Sequence, residues 1–382
     1  MKILHTSDLH IGLKLNNRDL CEDQRFILNQ MTEKAAALEP DVFIIAGDIY
    51  DRAVPSAEAV EIFDEFIGKL VDSCPKCKVM LISGNHDSAQ RINCYRNILQ
   101  RENVYAVGLP PRNPEEHIEK VVVEDEYGKV NFYLLPFIKP SMVKKITGED
   151  ENGNNLSYEE TIKKLIEREH IDTSERNVIV SHQFYLPVGK NADEVDRMDS
   201  EIQTVGNVDA VSAEVISCFD YAALGHIHKP MKVGSEVLRY VGTPLACSVS
   251  EAGQQKGMLL VNMQDKGNIE VENIPLKPLR KVMVIKGSYA EILEKACDDY
   301  ATVILDGKEE LDVIDAQERI RMAFPYLLEI RRENVRHSDY KAGVDREKLM
   351  DPYELCMSFL GETDDEEKNI MQDIINKVLG SV

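Results

Sequence analysis

The sequence contains five short motifs rich in carboxylate and imidazole side chains, and each motif follows an apolar run. The motifs are, in chain order, Asp8-x-His10, Gly47-Asp48-x-x-Asp51, Gly84-Asn85-His86-Asp87, Ser181-His182 and Gly225-His226-x-His228. Carboxylates, imidazoles and an amide oxygen together suit a first-row divalent ion such as Mn²⁺ or Fe²⁺. Zn²⁺ is an alternative, although a structural zinc site would more often contain cysteine. The motifs therefore predict a centre that binds divalent metal ions.

The number of candidate ligands predicts two ions, because two-metal hydrolases hold their ions about 3.5–4 Å apart with a bridging carboxylate between them. We expect Asp48 to be this bridge. The other ligands divide into Asp8, His10 and His228 for one ion and Asn85, His182 and His226 for the other. His86 has no ion in this scheme, so we assign it to proton donation or transition-state stabilisation. Asp51 and Asp87 are expected to orient ligands or histidines, and Asp51 is also a candidate for substrate contact.

The spacing within the motifs predicts how their side chains are aimed. Asp8 and His10 are separated by one residue, so an extended backbone would direct both to the same side, and the same holds for His226 and His228. The glycines that open three of the motifs are expected where the backbone needs conformational freedom or must come close to the site.

Each motif also has a simpler interpretation when it is taken alone. An Asp-x-His pair is common, a Gly-Asp pair is usually a turn, and an isolated buried histidine such as His182 is more often a core residue with a satisfied hydrogen bond. All five motifs in this order, each after a predicted strand, are very improbable by coincidence. His5, which we place inside the first strand facing away from Asp8 and His10, is interpreted as structural. The remaining histidines, His117, His170 and His337, are interpreted as surface residues.

The elements that must position these residues alternate between strands and helices in the first third of the chain. Apolar runs predict strands at 2–6, 42–46 and 79–83, and apolar periodicity predicts helices at 22–38 and 58–71. This alternation predicts a sheet covered by helices, with the motifs at strand ends and an open face for substrate. Further strands are predicted at 121–123, 130–135, 178–181, 221–224, 238–241 and 258–262, and a polar loop at 144–155.

The chain of 382 residues is too long for a single core, and we predict three segments. Residues 1–275 form the domain that carries the motifs. Residues 276–345 alternate strand and helix as a small α+β capping domain. Residues 346–382 contain two predicted helices, at 352–360 and 366–379, whose apolar positions require a partner because so short a segment cannot bury a core of its own.

Composition limits the function further. The net charge is −22 at pH 7, which taken alone argues against a nucleic-acid substrate, although bound cations or a partner can supply positive charge. The sequence contains no apolar run of the roughly 18–20 residues that span a membrane. Eight cysteines are scattered through a chain without a recognisable export signal, which predicts free thiols in the cytoplasm.

The five motifs resemble the signature of the calcineurin-like metallophosphoesterase superfamily. Within it, longer stretches resemble the SbcD family, the nuclease subunits of bacterial SbcCD complexes, which is related to the meiotic-recombination nucleases. The stretches are LHTSDLHIGLKL, EDQRFIL, AGDIYDRAVPSAEAV, SGNHDSAQRI, FDYAALGHIHKPMKVG and YVGTPLACSVSEAGQQKG. The generic motifs are shared with phosphatases, whereas YDRAVPS and the GTPL…S-x-S-E…KG stretch favour the nuclease family. The resemblance covers residues 1 to about 275.

The resemblance implies an α/β (α+β) fold, a four-layer β-sandwich flanked by helices, followed by a capping domain and C-terminal helices. It implies double-strand 3′→5′ exonuclease and single-strand or hairpin endonuclease activity on DNA in repair, recombination and replication. Mn²⁺ is the expected ion, with Mg²⁺, Fe²⁺ and Zn²⁺ as alternatives. The implied partners are DNA, an SbcC-type SMC-like ATPase and a second copy of the chain within a heterotetramer, without a membrane. The metal ligands and His86 carry over as assigned above.

Two other functions are compatible with the same motifs. One is a phosphodiesterase or phosphatase that acts on small molecules or nucleotides with the same ions. The other is a non-catalytic scaffold for an SMC-like ATPase, which the complete set of candidate ligands argues against because a scaffold would not need them.

Overall fold

A computed structural model describes residues 1–190, 198–201, 209–306 and 314–332, together with residues 368, 370 and 371. The chain divides into two compact units, residues 1–333 and 334–382. Almost all described residues belong to the first unit.

The described residues contain strands and helices in alternation over most of their length. The strands are β1 (Lys2–Thr6), β2 (Lys14–Leu15), β3 (Arg18–Asp19), β4 (Val42–Ala46), β5 (Lys78–Ile82), β6 (Val104–Val107), β7 (Glu119–Asp125), β8 (Gly128–Leu135), β9 (Arg176–Ser181), β10 (Phe184–Leu186), β11 (Ala210–Ser212), β12 (Tyr221–Leu224), β13 (Met231–Lys232), β14 (Leu238–Tyr240), β15 (Gly257–Met263), β16 (Ile269–Pro275), β17 (Val282–Gly287), β18 (Tyr300–Leu305) and β19 (Leu327–Arg332). The α-helices are α1 (Cys21–Leu38), α2 (Ala57–Ser73), α3 (Ala89–Ile92), α4 (Arg96–Leu99), α5 (Pro140–Thr147), α6 (Tyr158–Glu167), α7 (Tyr289–Glu294) and α8 (Ile314–Ala323).

Two six-stranded sheets form the centre of the first unit. The first sheet has the order β16-β15-β1-β4-β5-β6, and β1, β4, β5 and β6 run parallel in it. The second has the order β13-β14-β12-β9-β8-β7, and β8, β9, β12 and β14 run parallel. The carboxyl ends of the parallel strands in each sheet therefore share an edge.

Strand β4 shows how the layers are stacked. All five of its residues are buried, as in strands whose two faces are both covered. Phe43 and Ile45 join a core with residues of α1 and α2, while Val42, Ile44 and Ala46 join a core with residues of the second sheet. This alternation follows the two-residue period of a strand.

The second sheet has the same arrangement on its other side. Val178 and Val180 of β9 belong to the core between the sheets, and Ile179 belongs to a core that includes Val143 of α5 and Leu165 of α6. The order of layers is therefore helices, sheet, sheet, helices, which confirms the predicted four-layer α/β fold.

A smaller sheet of β17, β18 and β19, all parallel, is flanked by α7 and α8. It follows the predicted strand–helix alternation of the α+β segment. Val282 and Tyr300 belong to the core around α1 and α2, and Arg280 forms an ion pair with Asp23 of α1. The predicted boundaries near residues 275 and 345 remain predictions.

One predicted loop was partly wrong. Residues 140–147 form α5, although 144–155 was predicted as a polar loop. The helix begins with Pro140 at its first turn and buries Val143 and Thr147 on one face, a pattern too short to stand out by periodicity. The C-terminal helices predicted at 352–360 and 366–379 lie outside the described residues except for residues 368, 370 and 371, which are helical. Within the described parts of the chain, no helix is long and apolar enough to cross a membrane.

Candidate metal centre

The five motifs begin at the carboxyl ends of β1, β4, β5, β9 and β12 or within two residues of them. The first sheet supplies Asp8, His10, Asp48 and Asn85, and the second supplies His182, His226 and His228. Since both sheets direct parallel strands to the same edge, the seven predicted ligands are brought together from both sides of the central core. His10 and His228, for example, are 218 positions apart in the sequence and in contact in the structure.

The backbone at four of these residues is left-handed, so the extended geometry expected for Asp8 and His10 was wrong. Their φ angles are 53° and 43°, and those of Asp48 and His226 are 48° and 99°. Such conformations cost on the order of 1–3 kcal/mol each and persist only where surrounding contacts fix them. The contacts here are backbone hydrogen bonds, from Asp8 N to Gly47 O at 3.0 Å and from His10 N to Asp48 O at 3.0 Å.

The expected close approach at the motif glycines is confirmed. A Cβ atom on Gly84 would lie 2.1 Å from Oδ1 of Asp48. A Cβ atom on Gly47, whose φ is 90°, would lie 2.2 Å from Nδ1 of His182. Any side chain at either position would displace a predicted ligand.

The first ligand group is fully buried. Atoms of Asp8, His10 and His228 that could bind an ion all lie within 4.8 Å of one another. Nε2 of His10 is 3.1 Å from Nε2 of His228. Burial, reinforced by the neighbouring His228, lowers the pKa of His10 well below its usual value, so this ring is neutral and can offer a lone pair.

The second group converges on the amide oxygen of Asn85. Oδ1 of Asn85 lies 3.0 Å from Nε2 of His182 and 2.9 Å from Nδ1 of His226. Nδ1 of His182 is 2.7 Å from the carbonyl oxygen of Ala46. A carbonyl can only accept, so Nδ1 donates there, and a neutral His182 directs the lone pair of Nε2 at the oxygens of Asn85 and Asp48.

The donor set at this point fits a divalent cation. Nε2 of His182 is 3.2 Å from Oδ2 of Asp48, so two oxygens and a ring nitrogen face one another. Burial opposes a charged ring, yet the Asp48 carboxylate raises the pKa of His182 to about 9. The raised pKa of His182 means that its surroundings stabilise a positive charge at this point. A cation bound by His182, Asp48 and Asn85 would supply that charge in place of the proton.

Asp48 lies between the two groups, in the position expected of a bridge. Its Oδ2 atom is 3.8 Å from Nε2 of His10 and 3.2 Å from Nε2 of His182. Its Oδ1 atom accepts a hydrogen bond of 2.9 Å from the backbone N–H of His86. The carboxylate can therefore reach both groups without a change of backbone.

His86 lies beside the ligands on the more open side of the site. Its ring is edge-on to His10 at 4.8 Å between centroids, and the residue is partly exposed, whereas His10 is buried. Nδ1 donates to the carbonyl oxygen of Asp51 at 2.9 Å, which leaves Nε2 as the nitrogen that can transfer a proton. Asp51 thus acts on His86 through its backbone, while its Oδ1 atom is 4.0 Å from Nδ1 of His10.

Asp87 orients the site through backbone groups. Its carboxylate accepts hydrogen bonds from the N–H groups of Ile49, Tyr50 and Gly84, at 3.1, 2.9 and 2.9 Å. It therefore fastens the loop after β4 to the loop after β5. Burial and the nearby Asp48 carboxylate raise the pKa of Asp87 to about 6.

The sequence did not reveal several residues that hold the ligands. Gln24 donates to the carbonyl oxygen of His10 at 2.7 Å and accepts from the N–H of Gly12 at 2.9 Å. Glu201 accepts from the N–H of His228 at 2.9 Å, and Ser200 contacts the ring of His228. Gln24 lies in the EDQRFIL stretch, which is one of the stretches that carry the family resemblance. That resemblance is the one signal in the sequence that could have identified Gln24.

Comparisons with known proteins identify the family of this chain. The profile of the family described as Calcineurin-like phosphoesterase matches residues 1–230. The chain is 28% identical over 389 residues to SbcD, a component of the nuclease SbcCD of Staphylococcus epidermidis, in an alignment that covers 100% of this chain and 99% of that one. The resemblance to the SbcD family is thereby confirmed.

Two solved structures are similar to this chain at low TM-scores. One is TT1561 of Thermus thermophilus, with a TM-score of 0.39, 12% identity, and coverage of 71% of this chain and 98% of that one. The other is GAP50, the anchor in the inner membrane complex of Plasmodium, with a TM-score of 0.39, 9% identity, and coverage of 86% and 96%.

Proposed function

The chain belongs to the calcineurin-like phosphoesterase family, and on that premise we propose that it is a DNA nuclease of the SbcD type. The proposed reactions are 3′→5′ exonuclease cleavage of double strands and endonuclease cleavage of single strands and hairpins. The observation that carries the proposal is the convergence of the Asp48 carboxylate and the Asn85 amide oxygen on Nε2 of His182, at 3.2 and 3.0 Å. The full-length similarity to a nuclease component favours DNA over a small phosphoester.

Seven side chains would hold the ions. Asp8, His10 and His228 form one set, Asn85, His182 and His226 form the other, and Asp48 is shared. Two divalent ions, for which we propose Mn²⁺, supply charge neutralisation of the phosphate and an activated water when bound. Mg²⁺, Fe²⁺ and Zn²⁺ remain alternatives, because oxygen and imidazole ligands accept each of them.

His86 is the proposed proton donor. Its Nδ1 atom is fixed by the carbonyl of Asp51, so the ring cannot rotate away without losing that hydrogen bond. In the protonated ring, Nε2 can give its proton to the departing 3′ oxygen. Its partial exposure allows a substrate phosphate to approach.

The remaining parts of the chain have proposed roles in assembly. We assign the capping segment 276–345 to orienting DNA over the site, and residues 346–382 to docking an SbcC-type SMC-like ATPase. The nuclease subunit is proposed to be a homodimer within a heterotetramer that acts in cytoplasmic DNA repair, recombination and replication. Co-purification with a coiled-coil ATPase tests the assembly.

A nuclease assay with Mn²⁺ tests the chemistry. Linear double-stranded DNA, a hairpin, a chromogenic phosphodiester and the matching monoester would be offered to the wild type, Asp48→Ala and His86→Ala. We expect the diester and DNA to be cleaved, and both variants to lose at least about 100-fold in rate. His117→Ala is the control, because this ring is 57% exposed and lies outside the site.

Two results would contradict the proposal. Wild-type rates in either variant would refute the assigned residues. Cleavage of the monoester without DNA cleavage would favour the phosphatase alternative, and no cleavage of any substrate would favour the scaffold.

A further inference from the structure

A buried carboxylate lies behind His228. Glu251 is only 1% exposed, and four side chains donate hydrogen bonds to it. They are Ser200 Oγ at 2.8 Å, Thr243 Oγ1 at 2.9 Å, Ser248 Oγ at 3.1 Å and Lys256 Nζ at 2.6 Å. So many donors around one carboxylate keep it ionised and fixed, since each oxygen is held by at least one of them.

This network reaches the ring of His228. Oγ of Ser200 is 2.7 Å from Nδ1 of His228, and Oε1 of Glu251 is 3.6 Å from the same nitrogen. Lys256 also donates to the carbonyl oxygen of His228 at 3.1 Å. Both the ring and the backbone of this residue are therefore tied to the Glu251–Lys256 pair.

The direction of each hydrogen bond follows from the chemistry of the groups. An ionised Glu251 can only accept, so the single hydroxyl proton of Ser200 points at it. Toward His228, Ser200 can then offer only a lone pair, and Nδ1 must be the donor. The proton of the neutral ring thus resides on Nδ1, and the lone pair of Nε2 faces His10 and Asp8.

We propose that Glu251 and Ser200 are positioning residues that set the tautomer and orientation of His228, so that its Nε2 atom is presented to a divalent cation, with Lys256 as the counter-charge. The inference rests on the proposed metal centre and assigns a role to the S-x-S-E…KG stretch. A ligand histidine binds metal more tightly when its other ring nitrogen is hydrogen-bonded to a carboxylate, directly or through a hydroxyl such as that of Ser200, than when it is not. Loss of such a partner typically lowers metal affinity about 10- to 100-fold.

Ser200→Ala is the sharpest test, because it removes the relay and leaves the buried Glu251–Lys256 ion pair intact. Mn²⁺ binding would be titrated by electron paramagnetic resonance of the free ion. We expect the affinity of one of two sites to fall about 10- to 100-fold, and Ser200→Thr to restore it. Ser174→Ala is the matched control, since Ser174 donates a 2.7 Å hydrogen bond to the carboxylate of Asp172 on the surface.

Nitrogen-15 spectra of the histidine rings in metal-free protein give a second readout. We expect His228 to carry its proton on Nδ1 in the wild type and to lose this preference in Ser200→Ala and in Glu251→Gln. Wild-type Mn²⁺ affinity in Ser200→Ala, or an Nε2-protonated His228 in the wild type, would overturn the positioning role alone. Absence of Mn²⁺ binding by the wild type would instead overturn the metal centre on which the proposed nuclease depends.

Discussion

Asp23 of α1 and Arg280, just before β17, form an ion pair in which Nη1 of the arginine lies 2.8 Å from Oδ2 of the carboxylate. The hydroxyl of Tyr300 donates to the same oxygen at 2.7 Å. Asp23 is 1% exposed, and its neighbour Gln24 holds the loop of His10. One turn of α1 thus contacts both the small sheet and a predicted ligand loop.

Removal of the Asp23 carboxylate is expected to be costly. Asp23→Ala would leave Arg280 and Tyr300 without this buried acceptor, and we expect a loss of roughly 3 kcal/mol in the free energy of unfolding, measured by urea denaturation. Glu22→Ala is the control, because Glu22 pairs with the same arginine but its side chain is 71% exposed, so the loss should stay below about 1 kcal/mol. Equal losses in the two variants would contradict a special role for the buried pair.

A methyl group at position 84 should disrupt the site more than the fold. In Gly84→Ala the new Cβ atom would meet Oδ1 of Asp48 and push the predicted bridge out of place. We expect Mn²⁺ affinity to fall at least about 10-fold, with loss of nuclease activity. In Gly68→Ala, a helical position with nothing within 4 Å, affinity should not change and stability should rise by up to about 1 kcal/mol. A Gly84→Ala protein that binds Mn²⁺ normally would show that Asp48 is not a ligand.

His5 should make stability depend on pH. The ring is buried against Tyr221, with Nδ1 2.9 Å from the tyrosine oxygen, and burial lowers the pKa of His5 to about 3. Below about pH 6.5 the unfolded chain binds a proton at this ring and the folded chain does not, so stability falls toward acid by about 1.4 kcal/mol per pH unit. Above about pH 6.5 the ring is neutral in both states and contributes no slope.

His5→Asn tests this dependence in metal-free protein. Asparagine keeps a polar atom near the position of Nδ1 and cannot titrate, so the stability of the variant should fall less steeply between about pH 6.5 and pH 4 than that of the wild type. Chemical denaturation at several pH values measures the difference. Parallel curves for the wild type and His5→Asn would disprove the assignment.

Metal removal should lower the melting temperature. The predicted ligands come from two sheets, so the ions are expected to bind the folded chain only and to stabilise it by about 2.7 kcal/mol at a concentration about 100-fold above the dissociation constant. Chelation of Mn²⁺ should reverse this gain in the wild type. Asp48→Asn should melt at the same temperature with and without Mn²⁺, and an undiminished metal effect in that variant would argue against the bridge.

Candidate ligands could be named from the sequence, whereas the residues that support them could not. Strand β4 was placed correctly because its five apolar residues form one uninterrupted run, and Asp48 and Asn85 stood out because glycine and polar residues follow such runs. The ligands were assigned by their chemistry, which a sequence displays directly.

The supporting contacts were not visible because they depend on tertiary packing. Ser200 contacts His228, which lies 28 positions away in the sequence, and Glu251, which lies 51 positions away. No sequence periodicity connects these three residues. The left-handed backbone at Asp8 was missed for the same reason. It is fixed by a hydrogen bond from the N–H of Asp8 to the carbonyl oxygen of Gly47, in the loop after β4, and position 8 is not a glycine that would have indicated it. The stretches that carry the family resemblance contain Gln24 and Glu251 without giving their roles, and none of them contains Ser200.

The contribution of both sheets to the ligand cluster has a consequence for synthesis of the protein on the ribosome. Asp8 is synthesised early, whereas the last of the predicted ligands from the second sheet is His228. The buried Glu251 is synthesised later still. A nascent chain therefore carries no complete centre until well over half of it has left the ribosome and folded. On the proposed ligand assignment, no hydrolytic activity is expected from the chain before His228 has been synthesised.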